Sequence, residues 1–88
     1  MKYPITHHPE RHRFETVQEG RTAFVEYRLN GNALDIIHTI VPREIEGRGI
    51  AAALVEAAYD YALANGMKPE ATCSYAVVWL ERHPDYVR

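Results

Sequence analysis

The chain has 88 residues, of which 47% are hydrophobic and 25% are charged, proportions typical of one small globular domain spanning residues 1–88. Its formal net charge of −2 argues against general nucleic-acid binding, because that function needs a strongly basic face. A lone cysteine, a polar N-terminus without a signal peptide and the lack of any long apolar run predict a soluble, cytoplasmic protein with no disulfide and no membrane segment.

The first ten residues contain two prolines and no alternating pattern, so we expect residues 1–10 to be loosely ordered. Three later segments have the alternation or the apolar clustering of β-strands and are separated by glycine-containing turns. The third is apolar on both faces near its end, which predicts a central strand covered on two sides. The predicted strands are residues 13–18, 22–29 and 34–41.

A long alanine-rich helix is predicted from about Gly49 to Asn65, because apolar residues recur along it with helical spacing. An Asn-Gly pair ends it, since glycine readily adopts the left-handed conformation found after a helix C-terminus. Its apolar stripe is formed by Ile50, Leu54, Ala58 and Tyr61, with Val55 and Ala62 beside it.

A fourth strand is predicted at residues 68–73, and Pro69 restricts its start to an edge or an irregular position because proline cannot donate to a strand ladder. Ser74 is the predicted N-cap of a short helix, residues 75–82, which a His-Pro pair ends. The resulting order, β-β-β-α-β-α, indicates an α+β fold with α/β-like layers. A right-handed crossover through the long helix would make the third and fourth strands parallel.

The turn between the third strand and the long helix carries the most functional information. Its residues, 46–51, read Glu-Gly-Arg-Gly-Ile-Ala. A strand, a glycine turn and a helix N-terminus bring unpaired backbone N–H groups together, and these groups attract phosphate oxygens with the help of the helix dipole. Arg48 would add a charge-assisted contact. The pattern predicts a phosphate-bearing cofactor at residues 47–52, although an ordinary strand-to-helix turn looks the same locally.

These residues resemble the acetyl-CoA-binding motif of the GNAT superfamily of N-acetyltransferases. The resemblance is carried by Ile-Val-Pro at 40–42 and by Gly-Arg-Gly-Ile-Ala at 47–51, with Ala-Ala-Leu-Val after it. His-Thr at 38–39, Cys-Ser-Tyr at 73–75 and His-Pro at 83–84 are similar to the small single-domain GNAT-like acetyltransferases. The resemblance implies a short GNAT-like fold, in which antiparallel N-terminal strands and a parallel pair around the motif helix form one mixed sheet.

The resemblance also implies acetyl-CoA or coenzyme A as the cofactor. Backbone amides of the turn would hold its diphosphate, and its pantetheine arm would lie in a gap between two splayed strands, residues 36–41 and 71–73. Glu46 departs from the family pattern, which has Gln or Arg there, and Arg48 and Arg43 are expected to compensate for the acid. The implied cofactor-binding residues are Ile40, Val41, Glu46, Gly47, Arg48, Gly49, Ile50, Ala51 and Ala52.

The acceptor side is expected to be open. Larger members of the superfamily have one or two helices between their first strands, whereas residues 18–22 of this chain leave no room for a helix. The expected acceptor is a primary amine, either on a small molecule or on a protein lysine.

Three residues are candidate catalytic groups, since acetyl transfer needs a neutral amine and an acid for the departing thiolate. Cys73, at the start of the last helix, is expected to act as nucleophile or acid, and the structural alternative is a small buried residue. His38, on a strand face expected to carry Ile36 and Ile40, would accept the amine proton or orient Cys73, unless it is an ordinary half-buried histidine. Tyr75 is a second candidate acid or a packing aromatic.

The histidines at positions 7, 8 and 12 match no compact ligand set, so we expect no metal site. The first functional interpretation is an acetyl-CoA-dependent N-acetyltransferase. The second is a module that binds coenzyme A or acyl-CoA with little or no transfer, and the third is a structural domain with an empty loop. A monomer or a weak homodimer is expected, because exposed strand edges allow but do not require association.

Overall fold

A mixed sheet of five strands and two α-helices make up the part of the chain that the computed structural model describes, residues 3–87. The strands lie side by side in chain order. Three pairings are antiparallel and the last is parallel, which confirms the predicted α+β class and parallel pair. The elements are β1 (Thr6–His8), β2 (Arg13–Gln18), β3 (Arg21–Asn30), β4 (Ala33–Ile40), α1 (Ile50–Ala64), β5 (Lys68–Ala71) and α2 (Ser74–Arg82), with short 3-10 turns at Pro9–Arg11, Arg43–Ile45 and Pro84–Val87.

The N-terminal segment contains a strand that the sequence pattern did not predict. β1 pairs antiparallel with β2. The imidazole of His7 stacks on Phe14 with 4.0 Å between ring centroids, and its Nε2 lies 2.6 Å from the hydroxyl of Tyr27. The two prolines flank this strand and do not interrupt it. Residues 6–10 of the segment expected to be loosely ordered thus belong to a paired strand and a 3-10 turn, while residues 1–2 lie outside the described part.

Helix α1 packs across one face of strands β2 to β5 and builds the core with them. Its predicted apolar stripe is buried except at Tyr61, which is only partly buried. Tyr59, which the predicted stripe omitted, is fully buried. The core accepts this phenol because its hydroxyl donates a hydrogen bond to the carbonyl of Glu70 at 2.6 Å.

The two parallel strands separate where β5 ends. The ladder between β4 and β5 stops at the pair Ile36↔Ala71, and the N–H groups of Thr72 and Cys73 then both donate to the carbonyl of Ile36. β4 continues beyond this point without β5 beside it. The opening between β4 beyond Ile36 and the start of α2, called the strand gap below, is the gap that the resemblance implied.

A β-bulge lies in β4 at the start of the strand gap. Tyr27 of β3 pairs with Ile36, whereas the preceding residue, Glu26, pairs with His38, so Ile37 is the extra residue. Directly paired residues share a face of the sheet. His38 therefore lies on the face of Glu26, opposite to Ile36, and the predicted shared face of His38 and Ile36 is wrong.

Candidate functional site

The glycine loop, residues 46–49, leads directly into α1. Gly47 and Gly49 have φ angles of 78° and 77°, a left-handed conformation that residues with a Cβ resist. A Cβ at either position would meet no atom within 4 Å, so the backbone conformation, and not lack of space, requires glycine. Gly49 is the N-cap of α1, and no side chain caps the helix. The first-turn N–H groups are thus directed out of the helix at the positive end of its dipole, which suits a bound anion.

A cavity of about 320 Å³, called the loop cavity below, lies against this helix start. It is lined by the first turn of α1 and by every residue of the glycine loop except Arg48. Val41, Ile45 and Tyr75 complete the lining. Most of the predicted cofactor-binding residues therefore meet around one space. Ile40 does not line it, and its side chain is 47% exposed.

Arg48 lies close to the predicted phosphate position but is already paired. Its guanidinium forms an ion pair with Glu19, in the turn between β2 and β3, and its Nη2 lies 3.5 Å from the carbonyl of Glu44. The hydrogen bond from Arg48 lowers the pKa of Glu19, which is the direction expected for a carboxylate next to a cation. An anion at the glycine loop would compete with Glu19 for this guanidinium. Glu46 is exposed beside the loop cavity, and the side chain of Arg43 is also exposed.

Cys73 lies across the strand gap from β4. It is the N-cap of α2, so the predicted N-cap, Ser74, is wrong by one position. Its Sγ lies 3.4 Å from the hydroxyl oxygen of Thr39. Burial raises the pKa of the Cys73 thiol. The thiolate, however, can accept hydrogen bonds from the Thr39 hydroxyl and from N–H groups of Thr39 and of the start of α2. These bonds outweigh burial, and the pKa lies below its ordinary value.

The other two candidate catalytic residues lie on different sides of Cys73. Tyr75 is in the first turn of α2, is 42% exposed and lines the loop cavity. Burial raises the pKa of its hydroxyl, so the phenol is protonated at neutral pH. His38 is exposed, and its strand neighbour Thr39 pairs with Val25 on the opposite, helix-covered face. The structure thus brings Cys73 next to Thr39, and His38 faces the other side of the sheet.

A second cavity, the helix cavity, has a volume of about 570 Å³ and lies between α1 and α2. Its lining includes Arg48 and, on α2, the residues Tyr75, Val78, Trp79 and Arg82, of which only Tyr75 was a predicted site residue. The positions of these four residues follow helical spacing, one face at every third or fourth residue. That spacing was the available signal, but a stripe that mixes aromatic and basic residues does not identify its ligand.

The rest of the described chain carries no additional site of these kinds. Among residues 3–87, no group of three or more histidine, cysteine or acidic side chains is arranged to hold a metal ion. Neither α-helix in the same range combines the length and the apolarity that a membrane crossing requires.

Comparisons of the sequence and of the structure with known proteins give matches of the same kind. The sequence model of the family described as GCN5-related N-acetyl-transferase matches residues 13–88. Protein NATD1 of Xenopus tropicalis is 29% identical over 83 residues, which are 91% of this chain and 76% of that protein. Human NATD1 has the same identity over 91% of this chain and 74% of its own length. The NMR solution structure of a GCN5-like candidate N-acetyltransferase from Staphylococcus aureus matches with a TM-score of 0.75 and 29% identity, covering 98% of this chain and 86% of that one.

Proposed function

Because the chain belongs to the GCN5-related N-acetyltransferase family, we propose that it transfers an acetyl group from acetyl-CoA to a primary amine. When bound, the cofactor supplies an activated thioester and a thiol leaving group. One observation carries the proposal: the start of α1 lacks a side-chain cap and opens onto a cavity that extends to Tyr75 on α2.

The residues present fit such a cofactor. The N–H groups of Ile50, Ala51 and Ala52 would hold the diphosphate, since the first turn of a helix has no internal acceptors for them. Residues 37–41 would hold the pantetheine arm, because the edge of β4 that faces the strand gap is not paired with β5. Unpaired strand edges readily take up an extended ligand with amide groups.

The transfer requires that the amine lose a proton and that the departing sulfur gain one. Cys73 lies at the strand gap and Tyr75 at the loop cavity, where either would donate a proton to the departing sulfur of the cofactor. The depressed pKa of Cys73 favours a nucleophilic or acid-base role, whereas Tyr75 holds a proton that it can donate. His38 lies on the opposite face beside Glu26 and would accept a proton from an amine that arrives from that side.

The acceptor is proposed to be an exposed amine, on a small molecule or on a protein lysine. Strands β2 and β3 are joined by a tight turn with no helix between them, so no inserted element covers their outer face. Glu26 on this face would attract a cationic amine toward His38. We also propose that the protein works in the cytoplasm as a monomer or weak homodimer, where its single thiol remains reduced.

A second candidate function is a module that binds coenzyme A or an acyl-CoA with little transfer. The ion pair between Arg48 and Glu19 favours this second function, because the carboxylate of Glu19 already compensates the positive charge that the glycine loop carries. Glu46 adds an acid beside the same loop.

Two measurements test these functions, and the second separates them. Saturating acetyl-CoA should raise the melting temperature under either, since a ligand at 100 times its dissociation constant stabilises the folded state by about 2.7 kcal/mol. Radiolabel from acetyl-CoA should reach a lysine peptide or a polyamine only if the chain is a transferase. Cys73→Ala, Tyr75→Phe and His38→Gln variants then assign the roles, because loss of transfer with unchanged acetyl-CoA affinity identifies a catalytic group. Full transfer by Cys73→Ala would remove the nucleophile hypothesis.

A further inference from the structure

A row of titratable residues, called the outer row below, crosses the sheet on the face opposite to α1. Arg13 of β2 pairs directly with Glu26 of β3, and Glu26 pairs directly with His38 of β4. Directly paired residues share a face and have Cβ atoms about 5 Å apart, so a cation, a carboxylate and an imidazole lie side by side. Arg13 and Glu26 are half-buried, whereas His38 is exposed.

The outer row lacks the ion pair that its residues could form. The guanidinium of Arg13 lies over the ring of Phe24, with its central carbon 3.8 Å from the ring centroid. Within residues 3–87, Arg13 and Glu26 make no salt bridge with each other or with any other residue. An aromatic ring holds a stacked guanidinium in place while the N–H donors at its edge stay free. Arg13 is thus available to an anion, and Glu26 to a cation.

Other charged residues on the same face of the sheet have partners. Glu15 lies 3.2 Å from His8, and Arg28 lies 3.1 Å from Asp35. Neither pair includes a member of the outer row. Opposite charges at directly paired strand positions ordinarily stabilise the sheet by contacting each other. Their separation in the outer row therefore leaves a cation and an anion side by side for a ligand that carries both charges.

Apolar side chains adjoin the outer row on the same face. Phe24 pairs directly with Ile40, and Val17 is diagonal to Phe24 on β2. Ile40 and Val17 are exposed. Neither the loop cavity nor the helix cavity includes these residues or the outer row. Small-molecule sites are usually concave, whereas an open face with apolar and charged groups suits a polypeptide segment.

We propose that the outer face selects as acceptor a polypeptide lysine that has an acidic residue two positions away. Glu26 binds the lysine ammonium beside His38, and Arg13 binds the acid. This inference rests on the proposed function, because it names the acceptor of the proposed transfer. Arg13 lies about 7 Å from the midpoint between Glu26 and His38, one and a half strand spacings. Residues i and i+2 of an extended peptide point to one side and are also about 7 Å apart.

The first test compares acetylation of three peptides that contain one lysine and differ only two residues from it. Aspartate at that position should give a kcat/KM about three- to fivefold above that of alanine, the upper range for an exposed ion pair. Arginine there should lower kcat/KM below the alanine value, because Arg13 repels it. Equal values for the aspartate and arginine peptides would overturn the proposal and leave the proposed function intact.

Substitutions of Arg13 locate the preference. Arg13→Gln should make the aspartate and alanine peptides equivalent, and Arg13→Glu should reverse the preference in favour of the arginine peptide. Partial unfolding cannot produce such a reversal, since it would lower transfer to every peptide alike. Arg21→Gln is the matched control, because Arg21 is an exposed arginine of β3 on the helix-covered face. This variant should keep the preference for aspartate, and loss of the preference there would count against the assignment to Arg13.

A titration followed by nitrogen-15 NMR provides a readout that does not depend on transfer. The aspartate peptide should shift the backbone amides of β2 and β3 around the outer row, and replacement of its lysine by glutamine should weaken this binding. Shifts confined to the helices, or none, would overturn the proposal. Selective binding at the outer row without transfer of label to any amine would instead refute the proposed function alone. Spermidine acetylated with a kcat/KM equal to that of the aspartate peptide would overturn the choice of a polypeptide acceptor.

Discussion

The two halves of β4 differ in pairing and in exposure. Residues 33–36 are buried and pair with strands on both sides. Residues 37–40 are partly or fully exposed, and of these only 38–40 have pairing partners, all in β3. Both halves contain isoleucine, so composition does not distinguish them. The bulge at Ile37 and the end of the pairing with β5 distinguish the two halves. One strand thereby provides a buried anchor at one end and an edge without a β5 partner at the other.

Asp35, in the anchored half of β4, holds the segment that follows β5. It is buried, and its Oδ2 accepts hydrogen bonds from the Thr72 hydroxyl at 2.8 Å and from Arg28 at 3.1 Å. Its Oδ1 is buried without a partner among the described residues, which is unfavourable for stability. Because Thr72 directly precedes Cys73, the carboxylate fixes the strand end next to the thiol.

The largest expected effect is a difference in the free energy of unfolding between substitutions in the two halves of β4. Ile36→Ala removes a fully buried side chain and should lower the free energy of unfolding by about 2–5 kcal/mol. Ile40→Ala, in the open half, removes a side chain that is 47% exposed and should change it by no more than about 0.5 kcal/mol. Urea denaturation of the two variants measures both values. Similar losses at the two positions would show that β4 is one uniform core strand.

Substitutions of glycine can separate an effect on coenzyme A binding from an effect on stability. Gly49→Ala should cost about 1–2 kcal/mol of stability, because alanine resists the left-handed conformation, and it should also weaken coenzyme A binding. Gly31→Ala in the β3–β4 turn is the matched control, since Gly31 also has a positive φ and open space around its Cα. It should cost similar stability and leave the affinity unchanged. Equal effects of both substitutions on affinity would mean that the loop acts only through stability.

The open half of β4 also sets the chemistry of Cys73. Thr39→Val keeps the side-chain shape but removes the hydroxyl that lies 3.4 Å from Sγ. The pKa of Cys73 should then rise, because hydrogen bonds to the sulfur lower it in the intact site. The pH dependence of thiol alkylation by iodoacetamide should shift to higher pH. Thr22→Val, at an exposed position of β3, should not move the profile.

The smallest expected effect concerns Arg48. Glu19→Gln removes the carboxylate that pairs with it and frees the guanidinium for the cofactor. Coenzyme A affinity should rise by about two- to fivefold, the range expected for an exposed ion pair. Calorimetry at low salt is the suitable measurement, since salt screens exposed charges. A fall in affinity would show that Glu19 holds Arg48 in its binding position.

Much of the site was predictable because its geometry is local. Glycines with positive φ, the start and end of α1 and the hairpin turns depend on a few adjacent residues, and the structure has them within one or two positions of the predictions. β1 was missed because its strand character comes from a cross-strand stack of His7 on Phe14, not from alternation. The face of His38 was misassigned because a bulge reverses alternation without a sequence mark.

The sequence by itself determined the order of the elements from β2 onward, the loop that starts α1 and the family to which these residues point. Tertiary structure alone decided which groups meet: Cys73 with Thr39, 34 positions apart, and Arg48 with Glu19, 29 positions apart. It also decided that α1 and α2 enclose a cavity beside the glycine loop. The physical reason is the distance along the chain over which the interactions act. A turn depends on the backbone preferences of neighbouring residues. A pairing between side chains that are far apart in sequence depends on the packing of the whole sheet and both helices.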